Sequence, residues 1–302
     1  MNTAAKLSAY GVALALVASG AWAIGSAVGP LSAEQAPQAE GEAHGTEDAG
    51  HGDTHSGTVA EGAQDLPKGL SSTRGGYTLA PTASTLPAGT SPLSFRILGP
   101  DGHAVTSFEV EHDKKMHLIV VRRDTSGYRH VHPEMAADGT WSVPVTLPTG
   151  GTYRVFADFK PTGGPATTLG ADVSVAGDFQ PQPHAETRVA EVDGYQVRLD
   201  GDLKPGQASS VKLSVSKGGV PVTDLQPYLA AYGHLVALRE SDLAYLHVHP
   251  EGSPGDGKTA PGPEIAFVAQ VPSEDRYRLF LDFQHDGVVR TAEFTVEAGH
   301  GH

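Results

Sequence analysis

The sequence predicts an all-β protein: two tandem immunoglobulin-like β-sandwich domains behind an N-terminal transmembrane or signal helix and a disordered linker. Three observations lead there. First, one pattern occurs twice with identical internal spacing, His117, His130, Val131, His132, Pro133, Glu134 and then His234, His247, Val248, His249, Pro250, Glu251. Each copy is followed by a matching run, Tyr153 to Phe159 and Tyr277 to Phe283. Second, 37 Gly and 22 Pro in 302 residues argue for many turns and few long helices. Third, short runs rich in Val, Leu, Phe, Tyr and Thr alternate with turn signals: Leu93 to Leu98, Leu118 to Val121, Trp141 to Leu147 and Tyr153 to Phe159. Spacing of that kind belongs to sandwiches.

Taken in order, residues 1–30 form a signal anchor or signal peptide. From Leu7 to Val28 there is no charge, a run long enough to span a bilayer, and it continues beyond a small-x-small cleavage site at Ala21-Trp22-Ala23. Lys6 precedes it and acidic sequence follows, so the expected location is the cell membrane, single-pass, with the domains outside the cytoplasm; cleavage would give a secreted protein instead. Residues 31–75 have almost no large apolar side chains and read as a disordered tether, with His44, His51 and His55 among acidic residues. The first sandwich is expected over 76–177, an interdomain link over 178–187, the second sandwich over 188–297 and a histidine-containing tail over 298–302. Between the copies the offset is 117 up to Glu134 and 124 afterwards; the added residues fall in Gly252 to Pro263, a longer surface loop.

The chemistry sits in the repeated histidines. Imidazole is the commonest protein ligand for transition metals, which makes His117, His130, His132 with Asp158, and His234, His247, His249 with Asp282, candidate ligands of one site per repeat. A four-residue loop from Asp124 to Gly127 would place His117 opposite Glu134 and Ile119 opposite His132, with all three histidines of the first copy on one face. Asp158 and Asp282 then ligate directly, hold the second nitrogen of a ligating imidazole, or pair with Arg154 and Arg278. No cysteine is present, and the counterpart of Met116 is Gly233, so sulfur is not part of the shared design. Imidazole and carboxylate suit Cu(II) or Zn(II). Binding would weaken as pH falls through about 6.5.

Met116-His117-Leu118-Ile119-Val120-Val121 and His130-Val131-His132-Pro133-Glu134, with Tyr153 to Phe159 behind them, resemble segments of bacterial exported proteins described loosely as heavy-metal-binding and often anchored by one N-terminal helix. The likeness covers about 60 residues of each repeat. It implies a metal-binding protein held at the membrane; the residues themselves suggest a buffer, carrier or sensor for Cu(II) or Zn(II), with a metal donor or acceptor protein as the expected partner. The architecture is also loosely similar to small periplasmic copper-carrier sandwiches, but three methionines in the whole chain cannot supply their methionine-rich ligands. No nucleophile motif or phosphate loop points to an enzyme. A net charge of -14 argues against nucleic-acid binding. The alternative function is a tandem adhesion or interaction module in which the histidines are structural, and a third is a metal-dependent hydrolase or oxidase using an open coordination position.

Overall fold

The computed structural model describes residues 67–299, His247 excepted, all inside one compact unit, Ala60–His302. The expected N-terminal span, the histidines of the tether and of the tail, and His247 lie outside the described residues. Among the described residues every regular element is a strand, and no helix is long and apolar enough to cross a membrane.

Two β-sandwiches follow one another, which is the expected fold class. The first is built from β1 (Thr73–Arg74), β2 (Tyr77–Pro81), β3 (Thr85–Leu86), β4 (Gly89–Leu98) and β5 (Met116–Arg122), then β6 (Arg129–Val131), β7 (Glu134–Met135), β8 (Trp141–Leu147), β9 (Gly151–Phe159) and β10 (Thr167–Val175). The second uses β11 (Val189–Val192), β12 (Tyr195–Asp200), β13 (Ala208–Lys217), β14 (Val220–Pro221) and β15 (His234–Arg239), then β16 (Tyr245–Leu246), β17 (Val248–Pro250), β18 (Glu264–Gln270), β19 (Asp275–His285) and β20 (Val288–Ala298). In the first sandwich the sheet order β1-β2-β4-β8-β7 faces β3-β10-β9-β5-β6; in the second, β11-β12-β13-β18-β17 faces β16-β15-β19-β20. Each has its own core. Phe95, Trp141, Leu118 and Val155 meet in the first, and Val197, Leu213, Phe267 and Phe294 in the second.

Burial patterns show which sheet faces what. Strand β12 alternates buried and exposed side chains, as a strand with one wet face must, whereas all seven residues of β5 are buried. The reason is a third apolar cluster on the outer face of β5 and β9: Ile119, Val121, Tyr128 and Phe156 pack against Val236, Leu238, Leu243, Tyr245 and Phe280 of the second sandwich. Its contacts are reciprocal. Tyr128 stacks on Phe280 with ring centroids 4.0 Å apart, while Tyr245, the counterpart of Tyr128, meets Phe156, the counterpart of Phe280, at 5.7 Å. Such an exchange of equivalent residues is the mark of a local two-fold relation.

The segment before β1 straps this junction. Lys68 accepts a hydrogen bond from the Tyr245 amide through its carbonyl, and Gly69 donates its amide to the carbonyl of Thr168. The buried Arg154 guanidinium holds the carbonyls of Gly69 and Leu70 at 2.7 and 2.6 Å. Gly69 is required here: its φ is +73°, and a Cβ would lie 2.5 Å from the Phe156 ring.

Candidate metal centre

The site starts from strand register. Leu118 pairs with Val131, Ile119 with His130 and Val120 with Arg129, so β6 sits two residues away from the expected pairing. The loop between the strands spans six residues, 123–128, not four. A slip of two preserves which face each side chain takes, so His117 and His130 still share a face, and His130 becomes the close partner of His117. On the other side of β5, His117 pairs with Asp158, and Asp158 with Thr168 on β10. The second sandwich repeats that row as His234, Asp282 and Thr291. Both rows lie at the junction, where the two-fold relation brings them together.

One cluster results, assembled from both sandwiches. The rings of the equivalent His117 and His234 lie parallel with centroids 5.7 Å apart, and His130 lies 5.4 Å from the first and 4.7 Å from the second. One ring nitrogen from each of His117, His130 and His234 falls within 4.8 Å of the others, so this triad could hold a metal ion. The expectation of one site per repeat is therefore corrected: among the described residues both repeats contribute to a single cluster.

The hydrogen bonds fix where the free lone pairs lie. His117 Nε2 lies 3.0 Å from the Glu111 carbonyl, which can only accept, so that nitrogen carries the proton and Nδ1 of the neutral ring is bare. His130 Nδ1 lies 2.8 Å from Asp282 Oδ2 and donates to the ionised carboxylate, leaving Nε2 bare. These two bare nitrogens face one another at 3.2 Å. A proton between them would create an imidazolium in a site that burial makes hostile to charge. Two nitrogens bound at about 2.0–2.1 Å to one tetrahedral ion would themselves stand about 3.3 Å apart. In addition, His234 Nδ1 and His132 Nε2 are buried without a hydrogen-bond partner, an arrangement costly for polar atoms unless something else satisfies them.

The electrostatics agree. Burial pulls His130 down to about 3, and His132, which also feels His130 and His117, down to about 3. Burial likewise lowers His117 and holds His234 well below the usual histidine range. All four are neutral at pH 7, the form a metal requires. Burial also raises Asp282 to about 6 against the Thr291 hydroxyl, which donates to Oδ1 at 2.6 Å. Asp158 is raised by burial as well, opposed by Thr168, whose hydroxyl donates to it at 2.8 Å.

The remaining sequence candidates divide. His132 is at the cluster's edge, its ring 4.8 Å from His130 and 5.1 Å from His117. His249 is exposed on β17, paired with Val268 on the far sheet of the second sandwich, and only borders the cavity beside the cluster. Asp158 and Asp282 do not pair with the nearby arginines: Arg154 goes to Asp172 and the strap, Arg278 to Glu293 and Thr295. Met116 points into the first core, away from the histidines. Sequence reasoning missed Thr168 and Thr291, which hold the two carboxylates. The threonines had a signal, since they occupy matching places on the last strand of each repeat. His112, whose counterpart is Leu229 and which the sequence reads as a surface residue, is exposed, with its ring 6.2 Å from His117 and 6.3 Å from His234.

The chain belongs to the family described as Domain of unknown function (DUF8832), which matches twice, over residues 72–177 and 190–300. No curated protein matches it significantly. Among solved structures it is similar to a Salmonella alpha-2-macroglobulin variant (16% identity, 76% of this chain and 15% of that one, TM-score 0.26). A putative membrane anchored protein from Corynebacterium diphtheriae aligns at 10% identity over 76% of this chain and 60% of that one, TM-score 0.23. InvD of Yersinia pseudotuberculosis aligns at 12% identity over 75% and 58%, TM-score 0.24. The chain thus spans less than two thirds of the length of each.

Proposed function

We propose that this is an extracytoplasmic, membrane-tethered metal-binding protein, a buffer, carrier or sensor for Cu(II) or Zn(II), whose ion sits between the two sandwiches on His117, His130 and His234. The observation that carries this reading is the pair of bare ring nitrogens facing one another across 3.2 Å in a buried, neutral setting. Asp282 supports it from behind, fixing the His130 ring and its tautomer as carboxylates do for metal-bound histidines. The absence of sulfur at the cluster favours the borderline ions Cu(II) and Zn(II) over Cu(I). Binding, not catalysis, is the role, and a metal donor or acceptor protein is the partner.

The test is titration calorimetry of the full chain at pH 7.5 with Cu(II) and Zn(II), after His44, His51, His55, His300 and His302 are changed to Ala to remove unstructured binders. One equivalent of micromolar or tighter affinity is expected, lost on substituting His130 and His234. Two independent equivalents, one surviving in each repeat, would overturn the shared site. A folded parent that binds no ion would make the histidines part of a structural joint and the chain a tandem interaction module.

A further inference from the structure

Beside the cluster lies a cavity of about 580 Å³, bordered by His117, His234, Asp158, Lys68, Lys114 and Lys115. Its size falls in the range of small-molecule sites, roughly 300–1,000 Å³. Two of the three ligand residues, His117 and His234, form part of its wall, and three protein ligands leave a four-coordinate ion one position for an outside group.

The charge at the mouth is unusual for this chain. The protein as a whole carries -14, yet Lys114 and Lys115 stand exposed at this rim. The acidic neighbours Glu109 and Glu111 are both engaged by Lys160, at 2.7 and 3.6 Å, and the Asp158 carboxylate takes the Thr168 hydroxyl. Lys114 is near enough to push His117 and His132 away from the protonated form. A bare dication entering by this mouth is repelled by two ammonium groups, whereas a carboxylate is attracted to them.

Resting on the metal reading above, we propose that the cavity takes a small dicarboxylate, one carboxylate occupying the ion's remaining position and the other meeting Lys114 and Lys115. The protein then binds a metal together with an organic anion. Ligation exchanges one oxygen donor for whatever water occupied that position and involves no covalent or redox step.

The test uses the full chain, with the tether and tail histidines replaced, loaded with Co(II) as a spectroscopic substitute and dialysed to establish bound metal. Succinate and acetate are titrated in while the visible bands of the bound cobalt are followed, and cobalt content is measured again at the end. Succinate should shift the bands at about tenfold lower concentration than acetate, the gain expected for a second charge near partly screened lysines. In the K114Q/K115Q variant the two anions should become equal. Both lysines are exposed, so that variant keeps the fold. Cobalt that stays bound with bands indifferent to both anions would overturn the dicarboxylate site while leaving the metal centre standing. Equal response to succinate and acetate in the unaltered lysine background would overturn it too. Failure to bind cobalt, Cu(II) or Zn(II) at all would remove both readings together.

Discussion

At the scale of single residues, the site is an exercise in proton placement. Asp282 is the residue on which the tautomer of His130 depends, and Asp282→Asn should weaken Cu(II) or Zn(II) binding by about 10- to 100-fold, measured by chelator competition, with little loss of fold. The same burial makes the metal-free protein acid-sensitive. His130 has a folded pKa of about 3 against 6.5 for the free side chain, so between those values the unfolded chain binds the extra proton, and stability is lost as pH falls from 6.5 toward 3. His130 alone contributes a decline of about 1.4 kcal/mol per pH unit in that window. Asp282, raised to about 6 from 3.8, acts with the opposite sign, gaining stability as pH falls from 6 to 3.8, as does Asp158, also raised, but these two carboxyls oppose four lowered histidines. Urea unfolding of the metal-free chain at pH 7.5, 5.5 and 4.5 should show the net fall, with a shallower slope for His130→Gln. Metal affinity should hold to lower pH than an ordinary histidine tract allows, falling once Asp282 takes up its proton near 6.

At the scale of elements, register and threading decide what meets what. The slip of two residues at the β5–β6 turn explains why the sequence, read with a four-residue loop, favoured His132 as the partner of His117, when it is a His130 nitrogen that faces His117 at 3.2 Å. Facing survived the error because a strand's side chains repeat every two residues. Alternation in Tyr153 to Phe159 was legible for the same reason: Tyr153, Val155, Ala157 and Phe159 do point into the first core and Phe156 into the junction. What no local pattern could reveal is that the outer faces of two sheets are covered by each other. A duplicated motif reads naturally as two sites, and only the pairing of sandwiches turns it into one. The strap offers a test at this scale. A Cβ on Gly170 would lie 1.9 Å from the Gly69 carbonyl oxygen, so Gly170→Ala must displace the strap and its Arg154 hydrogen bonds. Destabilisation of about 1–3 kcal/mol is expected in denaturant unfolding, the usual scale for forced overpacking.

At the scale of the whole molecule, the junction should make two sandwiches behave as one folding unit. Phe280 is fully buried there against Tyr128, and Phe280→Ala should cost about 3–5 kcal/mol and split a single calorimetric transition into two. Bound metal should oppose the split, raising the midpoint of the unaltered protein while having no effect when His234 is also removed. The reciprocal stacking of Tyr128 on Phe280 and Tyr245 on Phe156 carries a consequence of its own. Each sandwich presents half of a self-complementary surface, and the coordination sphere is split between them, two histidines from the first and one from the second, so the covalent link acts chiefly by fixing the effective concentration of one part near the other. Cut at that link and supplied as separate polypeptides, the halves should capture metal only as pairs, with an apparent affinity that rises with protein concentration, and the ion would become the agent that drives their dimerisation.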